Sequence, residues 1–293
     1  MVHKYGPHVF HTKQVAVWNF LQDYTEFDRL DLKIVAELQD RRVVPIPYND
    51  TTRRIVGDWT EEDILREIVV PYSEKMWGCP FAEIPKSITN RVPKPRVGND
   101  DRWHQDTLQG VPRHGYTQMV ESMLEGCDVL VGVDGDYWRR IRDDFDLVVY
   151  TGKLDDYFQS IHGALPYRSL NIVSEVKTWR LPTMQMNACN TRNPFTRQID
   201  HGHWYPYRSS VSKWTTIIST ETPCAHVPGE NEAFYPMAAF AGVEELAGKY
   251  RAMAEAESRT LFVGRLATYT YLDMDVAVGI ALKTAERLLN LPI

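Results

Sequence analysis

The sequence predicts a mixed α/β fold (α+β mixed) with an antiparallel centre, on three observations. Strand and helix patterns alternate at both ends of the chain. The stretch from Ser169 to Cys224 reads as strands at hairpin spacing. Two amphipathic helical patterns follow it and close the chain.

In chain order, Thr12 is placed to cap a helix reaching Tyr24, with Val15, Trp18 and Leu21 at helical spacing. "LKIVAEL", the charged turn "QDRR" and "VVPIP" make a β-hairpin. Thr60 opens a second helix over "TEEDILREIVV", with Asp63 at the capping-box position and acidic residues in the first turn. "YSEKMWGCPFAEIPKSITNRVPKPRVGNDD", interrupted by prolines, predicts a loop. "GYTQMVESML" is helical, and "CDVLVGV" and "FDLVVYTG" are expected as buried strands. "LNIVSEVKTWRL", "TMQMNACNT", "TRQIDHGHWY" and "WTTIISTET" form the antiparallel sheet. "AAFAGVEELAGKYRAMAEA" is an amphipathic helix, "TLFVGRLATYTYLDMD" a strand running into a loop, and "VAVGIALKTAERLLNL" the closing helix.

A formal net charge of -6 argues against duplex DNA, other nucleic acid or an anionic membrane as partner. No apolar run approaches the roughly 20 residues of a membrane-spanning helix, and cytoplasm is the default location. Cys79, Cys127, Cys189 and Cys224 lack C-x-x-C spacing and read as buried free thiols in a reducing compartment. Eight Trp and fifteen Tyr suit either a core or a pocket that stacks on sugar and base rings.

His8 and His11 form H-x-x-H, and His201 and His203 form H-x-H, but neither pair has an evident third ligand, so no metal is expected. G-x-S-x-G, P-loop and G-x-G-x-x-G patterns are absent from the sequence, and no carboxylate pair stands out. "TLFVGRLATYTYLDMDVAVGIALKTAERLL" carries two readings. In one, Asp273 is simply the N-cap of a helix after a strand. In the other, that helix directs its free N–H groups at an anionic or electron-rich cofactor.

That stretch resembles the C-terminal flavin-contacting segment of UDP-galactopyranose mutases, and "HKYGPHVFHT" resembles the family's flavin-proximal motif. "PYSEKMWG", "LQGVPRHGYTQMVESML", "VVYTGKLDDYF", "YRSLN", "NPFTRQIDH" and "AFYPM" continue the resemblance in family order along nearly the whole chain. It implies an isomerase that interconverts UDP-galactopyranose and UDP-galactofuranose for cell-surface polysaccharide. The cofactor implied is reduced FAD, whose N5 attacks the anomeric carbon as UDP leaves. The cofactor then carries the hard step while side chains bind and orient.

By the same resemblance, Tyr72 and Trp77 hold the uracil, Ser73 is a further substrate-binding residue, and Arg91 of "TNRVP" closes on the diphosphate, with Arg96 as a nearby substitute. Trp103 stands where the family has a loop tyrosine. Asn187 and Arg197 line the substrate cleft, and Tyr235 and Tyr271 lie near the diphosphate and sugar. His8, Val9, His11, Arg265, Asp273, Met274, Asp275 and Val276 fall at flavin-side positions, with His11 and Arg265 in supporting catalytic roles. The implied architecture is the remainder of a Rossmann-like FAD-binding domain at 1–30, 105–165 and 232–293. A reduced helical segment with a mobile substrate loop occupies 48–104, and an antiparallel substrate sheet 166–231.

Three departures qualify these expectations. "STETPCAH" lacks the family's second diphosphate arginine, which opens the alternative of another nucleotide sugar such as a UDP-N-acetylhexosamine. The segment between "VPIPYND" and "YSEKMWG" is shorter than in bacterial members, which leaves a homodimer open. No glycine-rich βαβ unit, which takes roughly 30 residues, precedes "HKYGPH". That reading places Met1 at an internal family position. It also admits a separately encoded Rossmann half as partner, or a flavin-free protein that binds nucleotide sugars.

Overall fold

The structure is a computed structural model that describes residues 2–133, 135–204 and 215–289. Met1, Tyr205 of the expected strand "TRQIDHGHWY", Trp214 of "WTTIISTET" and residues 290–291 of the closing helix lie outside the described residues. The chain divides into two compact units, one of Met1–Lys13, Phe27–Val111 and Arg168–Glu232, the other of Gln14–Glu26, Pro112–Tyr167 and Ala233–Ile293.

The first unit is built on a mixed sheet. Six of its strands run in the order Tyr167–Lys177, Thr216–Ala225, Arg197–Asp200, Gln185–Ala188, Ile34–Glu37 and Val43–Ile46. Every neighbouring pair among these is antiparallel except Ile34–Glu37 with Gln185–Ala188, which is parallel. The hairpin expected around "QDRR" is present in the register Ile34↔Ile46 to Glu37↔Val43, and Arg41 takes a left-handed φ of 71° in its turn. Its joining of the larger sheet has a plain cause, because an isolated hairpin has too little to bury its apolar face against. Ile34, Ala36, Val44 and Ile46 enter one core with Ile68, Val111, Ile199 and Trp204. The strand expected over "TRQIDHGHWY" is shorter than the sequence indicates. It ends at Asp200, whose carboxylate accepts the Gly202 N–H and starts a 3-10 turn at His201–His203.

Helix Asp50–Val56 is capped by the fully buried Asn49, whose Oδ1 accepts the N–H groups of Thr51 at 2.9 Å and Thr52 at 3.1 Å. Asn49→Ala is therefore expected to cost about 1–2 kcal/mol, and Asn49→Asp much less, as read from the denaturant midpoint. The Thr60–Asp63 capping box is formed as the sequence predicts.

Beyond it the loop expected from Tyr72 onward is corrected, because the helix continues to Trp77. Pro71 has no N–H to bond back into the preceding turn. The chain takes a π turn over Leu65–Val69, with the Val70 N–H bonded to Leu65 O, before resuming as an α-helix from Val70 to Trp77. A short helix, Lys86–Thr89, and a 3-10 turn, Phe81–Glu83, also occupy the expected loop. A three-stranded sheet in the order Phe10–Thr12, Leu108–Pro112, Phe27–Arg29 completes the unit. Thr12 is thus a fully buried strand residue rather than a helix cap.

In the second unit, helix Val15–Gln22 starts after Gln14 without a side-chain cap and buries Val17, Trp18 and Leu21, while Val15 faces solvent. Helices Tyr116–Met123, Glu244–Ala256 and Met274–Leu289 follow the sequence patterns. Leu154, Leu165, Tyr167, Ala247, Tyr250 and Tyr269 form its core.

Two expectations fail here. "CDVLVGV" is neither a strand nor buried, and Val131 is 84 % exposed. "FDLVVYTG" contributes only Val148–Tyr150, paired in parallel with Thr260–Phe262, and Val149 is exposed. A run of apolar residues becomes a strand only when another strand satisfies its backbone, and among the described residues none pairs with 127–133. The cysteines also depart from expectation: Cys189 alone is buried, and Cys127 is exposed.

No helix among the described residues is long and apolar enough to cross a membrane.

Candidate active site

In the first unit, the α-turn that follows the π turn sets the register of Tyr72, Ser73 and Trp77. Ser73 and Trp77, four residues apart on one helical face, are buried, whereas Tyr72 is half-buried against the core that contains Ile68. The helix end is fixed from two sides. Gly78 takes φ 70° at the cap, and Arg168 donates from Nε to Met76 O at 2.9 Å and from a terminal nitrogen to Lys75 O at 3.4 Å. Lys75 Nζ donates to the carbonyls of Ala188, Asn193 and Phe195 at 2.6, 3.1 and 2.9 Å. Desolvation lowers its pKa to about 8. This one cation ties the Tyr72–Trp77 helix to the loop that separates Asn187 from Arg197.

Asn187, Arg197 and Glu221 are successive register partners on three adjacent strands. Directly paired residues project from the same face, so an amide, a guanidinium and a carboxylate stand in one row. Arg197 Nε donates to Glu221 Oε2 at 2.5 Å, and Gln185 Nε2 donates to Asn187 Oδ1 at 2.8 Å. Glu221 is fully buried, and its Oε1 has no hydrogen-bond partner among the described residues.

The proline-rich segment presents two arginines differently. Arg91 is exposed at the end of the short helix Lys86–Thr89. Arg96 is turned inward, bonded to Arg102 O and to Trp103 O at 3.2 Å, and paired with Asp100 at 3.4 Å. The Arg102 side chain, more than any other group, holds the Asp100 carboxyl far below the usual carboxylate range. Trp103 is half-buried, and its backbone N–H donates to Leu32 O at 2.7 Å.

Within "HKYGPHVFHT", Gly6 takes φ 98° and its carbonyl meets His8 Nδ1 at 2.8 Å, while the His8 N–H donates to His3 Nδ1 at 3.1 Å. His8 is exposed and Val9 buried. His11 Nδ1 lies 2.8 Å from Asp106 Oδ2, and its ring stacks on His104 at 3.5 Å between centroids. His11, His104 and Asp106 bring three potential metal-ligand atoms within 4.8 Å of one another, a grouping that neither histidine pair of the sequence revealed.

In the second unit, Arg265 and the two tyrosines come together. Tyr235 and Tyr271 stack at 5.8 Å with planes 12° apart, and the Arg265 guanidinium carbon lies 4.7 Å from the Tyr271 centroid and 5.7 Å from that of Tyr235. Arg265 is anchored by Leu272 O and, at 3.3 Å, by Phe234 O. Asp273 precedes the helix that begins at Met274, and its carbonyl accepts the Ala277 N–H at 3.0 Å. The Val276 N–H is taken by Asp275 Oδ1 at 2.8 Å, and Val276 itself is exposed. The first turn keeps the positive polarity common to helix N-termini, with its Val276 donor already taken up by Asp275.

Sequence reasoning missed Glu221, Lys75, His104 and Asp106. For Glu221 the signal was present. Aligning "TRQID" with "STETP" as antiparallel neighbours places its carboxylate opposite Arg197. The His104–Asp106 pair is brought to His11 by the pairing of Phe10–Thr12 with Leu108–Pro112, which no local pattern announces.

Comparison with known proteins defines first a class and then a family. A profile described as UDP-galactopyranose mutase matches residues 67–271. A probable UDP-galactopyranose mutase of Klebsiella pneumoniae is 32% identical over 99% of this chain and 82% of its own length. A dTDP-fucopyranose mutase of Escherichia coli is 27% identical, with 97% and 84% covered. A crystal structure of reduced UDP-galactopyranose mutase superposes with a TM-score of 0.71 at 15% identity, covering 98% of this chain and 83% of that one, a likeness of fold. The class is that of sugar-mutase enzymes, which are isomerases. The chain belongs to the UDP-galactopyranose mutase family.

Proposed function

We propose that this protein interconverts the pyranose and furanose forms of UDP-galactose, with FAD in its reduced form as cofactor. One observation carries the reading: the family match over residues 67–271 spans every residue assigned here to the substrate, from Tyr72 to Tyr271. In this reading Tyr72 and Trp77 hold the uracil, where a flat aromatic side chain suits a flat base, and Ser73 is a further substrate-binding residue. Arg91, exposed at the end of its short helix, is the residue assigned to the diphosphate, where a planar guanidinium can grip two oxygens. Arg96 instead bonds the backbone of residues 102 and 103. Trp103 borders the same substrate loop. Asn187 and Arg197 orient the sugar, and Tyr235 and Tyr271 contact the diphosphate and sugar.

The residues on the flavin side fit a ring that carries negative charge when reduced. Arg265 supplies a fixed cation, the first turn at Asp273, Met274, Asp275 and Val276 supplies backbone polarity, and a Cβ placed on Gly264 would meet no atom within 4 Å, which leaves that backbone open to approach. In the first unit, the family resemblance assigns His8, Val9 and His11 to the flavin. Bound and reduced, FAD supplies the nucleophile for the anomeric carbon. The protein's part is positional and electrostatic. Arg91 stabilises the UDP leaving group. The Asp106 carboxylate fixes the ring of His11 and leaves its Nε2 as the atom through which a proton is held or passed.

A second reading, a mutase for another nucleotide sugar, rests on the strand Thr216–Ala225, which has no arginine, and on the dTDP-fucopyranose mutase relative. A missing charged contact is worth about 1.5–3 kcal/mol of diphosphate binding. The test is product analysis by chromatography for the reduced, FAD-supplemented protein with UDP-galactopyranose, UDP-N-acetylhexosamines and dTDP-fucopyranose. Furanose product from UDP-galactopyranose, only after reduction, is the expected result. Product from one of the other sugars alone transfers the assignment to that sugar, and no product from any defeats both readings.

Within the first reading, Trp77→Ala should weaken UDP binding by about ten- to a hundred-fold, the scale of one base-stacking contact. Unchanged affinity by titration calorimetry would remove Trp77 from the site.

A further inference from the structure

Among the buried polar atoms of the first unit, Glu221 Oε1 stands out. Its residue is 0% exposed, its companion Oε2 is occupied by Arg197, and Oε1 itself has no partner among the described residues. A buried acceptor left without a donor loses its hydration with no return, so such atoms point to a group that completes them. Gly6 packs closely beside it. A Cβ at that position would lie 3.2 Å from Oε1 and 3.7 Å from an Arg197 terminal nitrogen, and the φ of 98° disfavours any side chain there.

The neighbours define what donor belongs there. An ionised carboxylate is acceptor-only, so the missing partner is an O–H or N–H and cannot be a phosphate oxygen. Along the row, Asn187 presents an amide and Arg197 a guanidinium. Ala36 and Ile172 are the next register partners at the two ends and carry no polar side chain. Amide, guanidinium and carboxylate side by side match a ligand with several closely spaced groups that both donate and accept, as the hydroxyls of a sugar do.

We propose that Glu221 contacts the substrate directly: Oε1 accepts a hydrogen bond from a hydroxyl of the nucleotide-linked sugar while Oε2 fixes Arg197 beside it. The proposal rests on the mutase reading and adds to it a determinant of sugar specificity.

The experiment compares UDP with UDP-galactopyranose as ligands of the FAD-loaded protein, by titration calorimetry, for the wild type and Glu221→Gln. Ring-deoxy analogues of UDP-galactose are added for the wild type. The expected result is a loss of about ten-fold or more in UDP-galactopyranose affinity for Glu221→Gln, with UDP affinity within about two-fold. One deoxy analogue should show the same loss on the wild type, and Glu221→Gln should no longer distinguish that analogue from the parent sugar. Equal losses for UDP and UDP-sugar would mean that Glu221 only holds the sheet or Arg197, and would overturn the proposal. So would no loss for either ligand, the behaviour of an oxygen served by water. So would loss of bound flavin absorbance with sugar affinity kept, which would assign Oε1 to the cofactor. If Glu221→Gln does not fold, the wild-type series decides, and undiminished binding of every deoxy analogue overturns the proposal. Failure of the mutase reading is separately visible as a wild-type protein that binds neither UDP nor any UDP-sugar.

Discussion

Arg197→Ala is expected to destabilise the protein by about 3–5 kcal/mol, the cost of leaving a buried charge without its partner. The side chains of Arg197 and Glu221 are 19% and 1% exposed, so water cannot take over the role of the guanidinium. Glu221 Oε1 is already without a partner among the described residues, and removing Arg197 would leave both oxygens in that condition. The pair also links two neighbouring strands, Arg197–Asp200 and Thr216–Ala225, at one register position. Arg197→Lys should lose less, since it keeps the charge but not the fixed geometry of the Nε donor. The double variant Arg197→Leu with Glu221→Leu should recover most of the stability, because a well-packed apolar pair carries no desolvation penalty. Denaturant midpoints for the three variants provide the check. A loss below about 1 kcal/mol in Arg197→Ala would mean that the pair is hydrated and not a structural link.

Acid is expected to destabilise the first unit by about 3–4 kcal/mol between pH 7 and pH 5. His3 and His201 are buried near one another. Desolvation, with the mutual charge of the histidines adding to it at His3, lowers the His3 pKa to about 3, and desolvation lowers that of His201 to about 4. Burial keeps both neutral in the fold. His201 Nδ1 accepts the His3 backbone N–H at 3.4 Å, and its Nε2 lies 2.7 Å from Ser219 Oγ. With Nδ1 an acceptor, Nε2 carries the proton and donates to the serine, so this serine–histidine pair is not an activated nucleophile.

The sign follows from the direction of the shifts. The unfolded chain takes up these two protons near the ordinary histidine pKa of about 6.5, whereas the folded chain does so only near pH 4 and 3. Their contribution is therefore complete above about pH 6.5 and declines as pH falls toward those lower values. Asp200 and Asp63, with lowered pKa values, release their share only at still more acid pH. Unfolding free energies at pH 7, 6 and 5 should fall steadily, and His201→Gln should flatten the decline by about half. A flat profile in the native protein would show that both rings take up protons in the fold as readily as in the unfolded chain.

Local chemistry made several features legible in the sequence. Thr60 and Asp63 read as a capping box, and they form one, because the hydrogen bonds that define it lie within a single turn. The "QDRR" hairpin and the helices beginning near Tyr116, Glu244 and Met274 were legible for the same reason: periodicity and turn chemistry act over a few residues. The proposed site residues were assigned only through motifs that resemble a family. No periodicity picks out Tyr72 or Tyr271, since a substrate-facing aromatic and a core aromatic follow the same pattern.

The errors arose where distant segments decide the outcome. "CDVLVGV" has the composition of a buried strand, but a strand exists only by pairing, and no described residue pairs with it. Thr12 has the character of a helix cap, but the strand Leu108–Pro112 claims it, with Thr12 opposite Leu108. The loop expected from Tyr72 onward begins instead as helix, because a π turn ahead of Pro71 lets the chain continue to Trp77.

By itself, then, the sequence determined the local elements, the mixed α/β class and the family. Only the tertiary structure set Asn187, Arg197 and Glu221 in one row and left Glu221 Oε1 buried without a donor among the described residues. The physical reason is that strand register and desolvation are properties of residues far apart in sequence, which acquire a common environment only when the chain has folded.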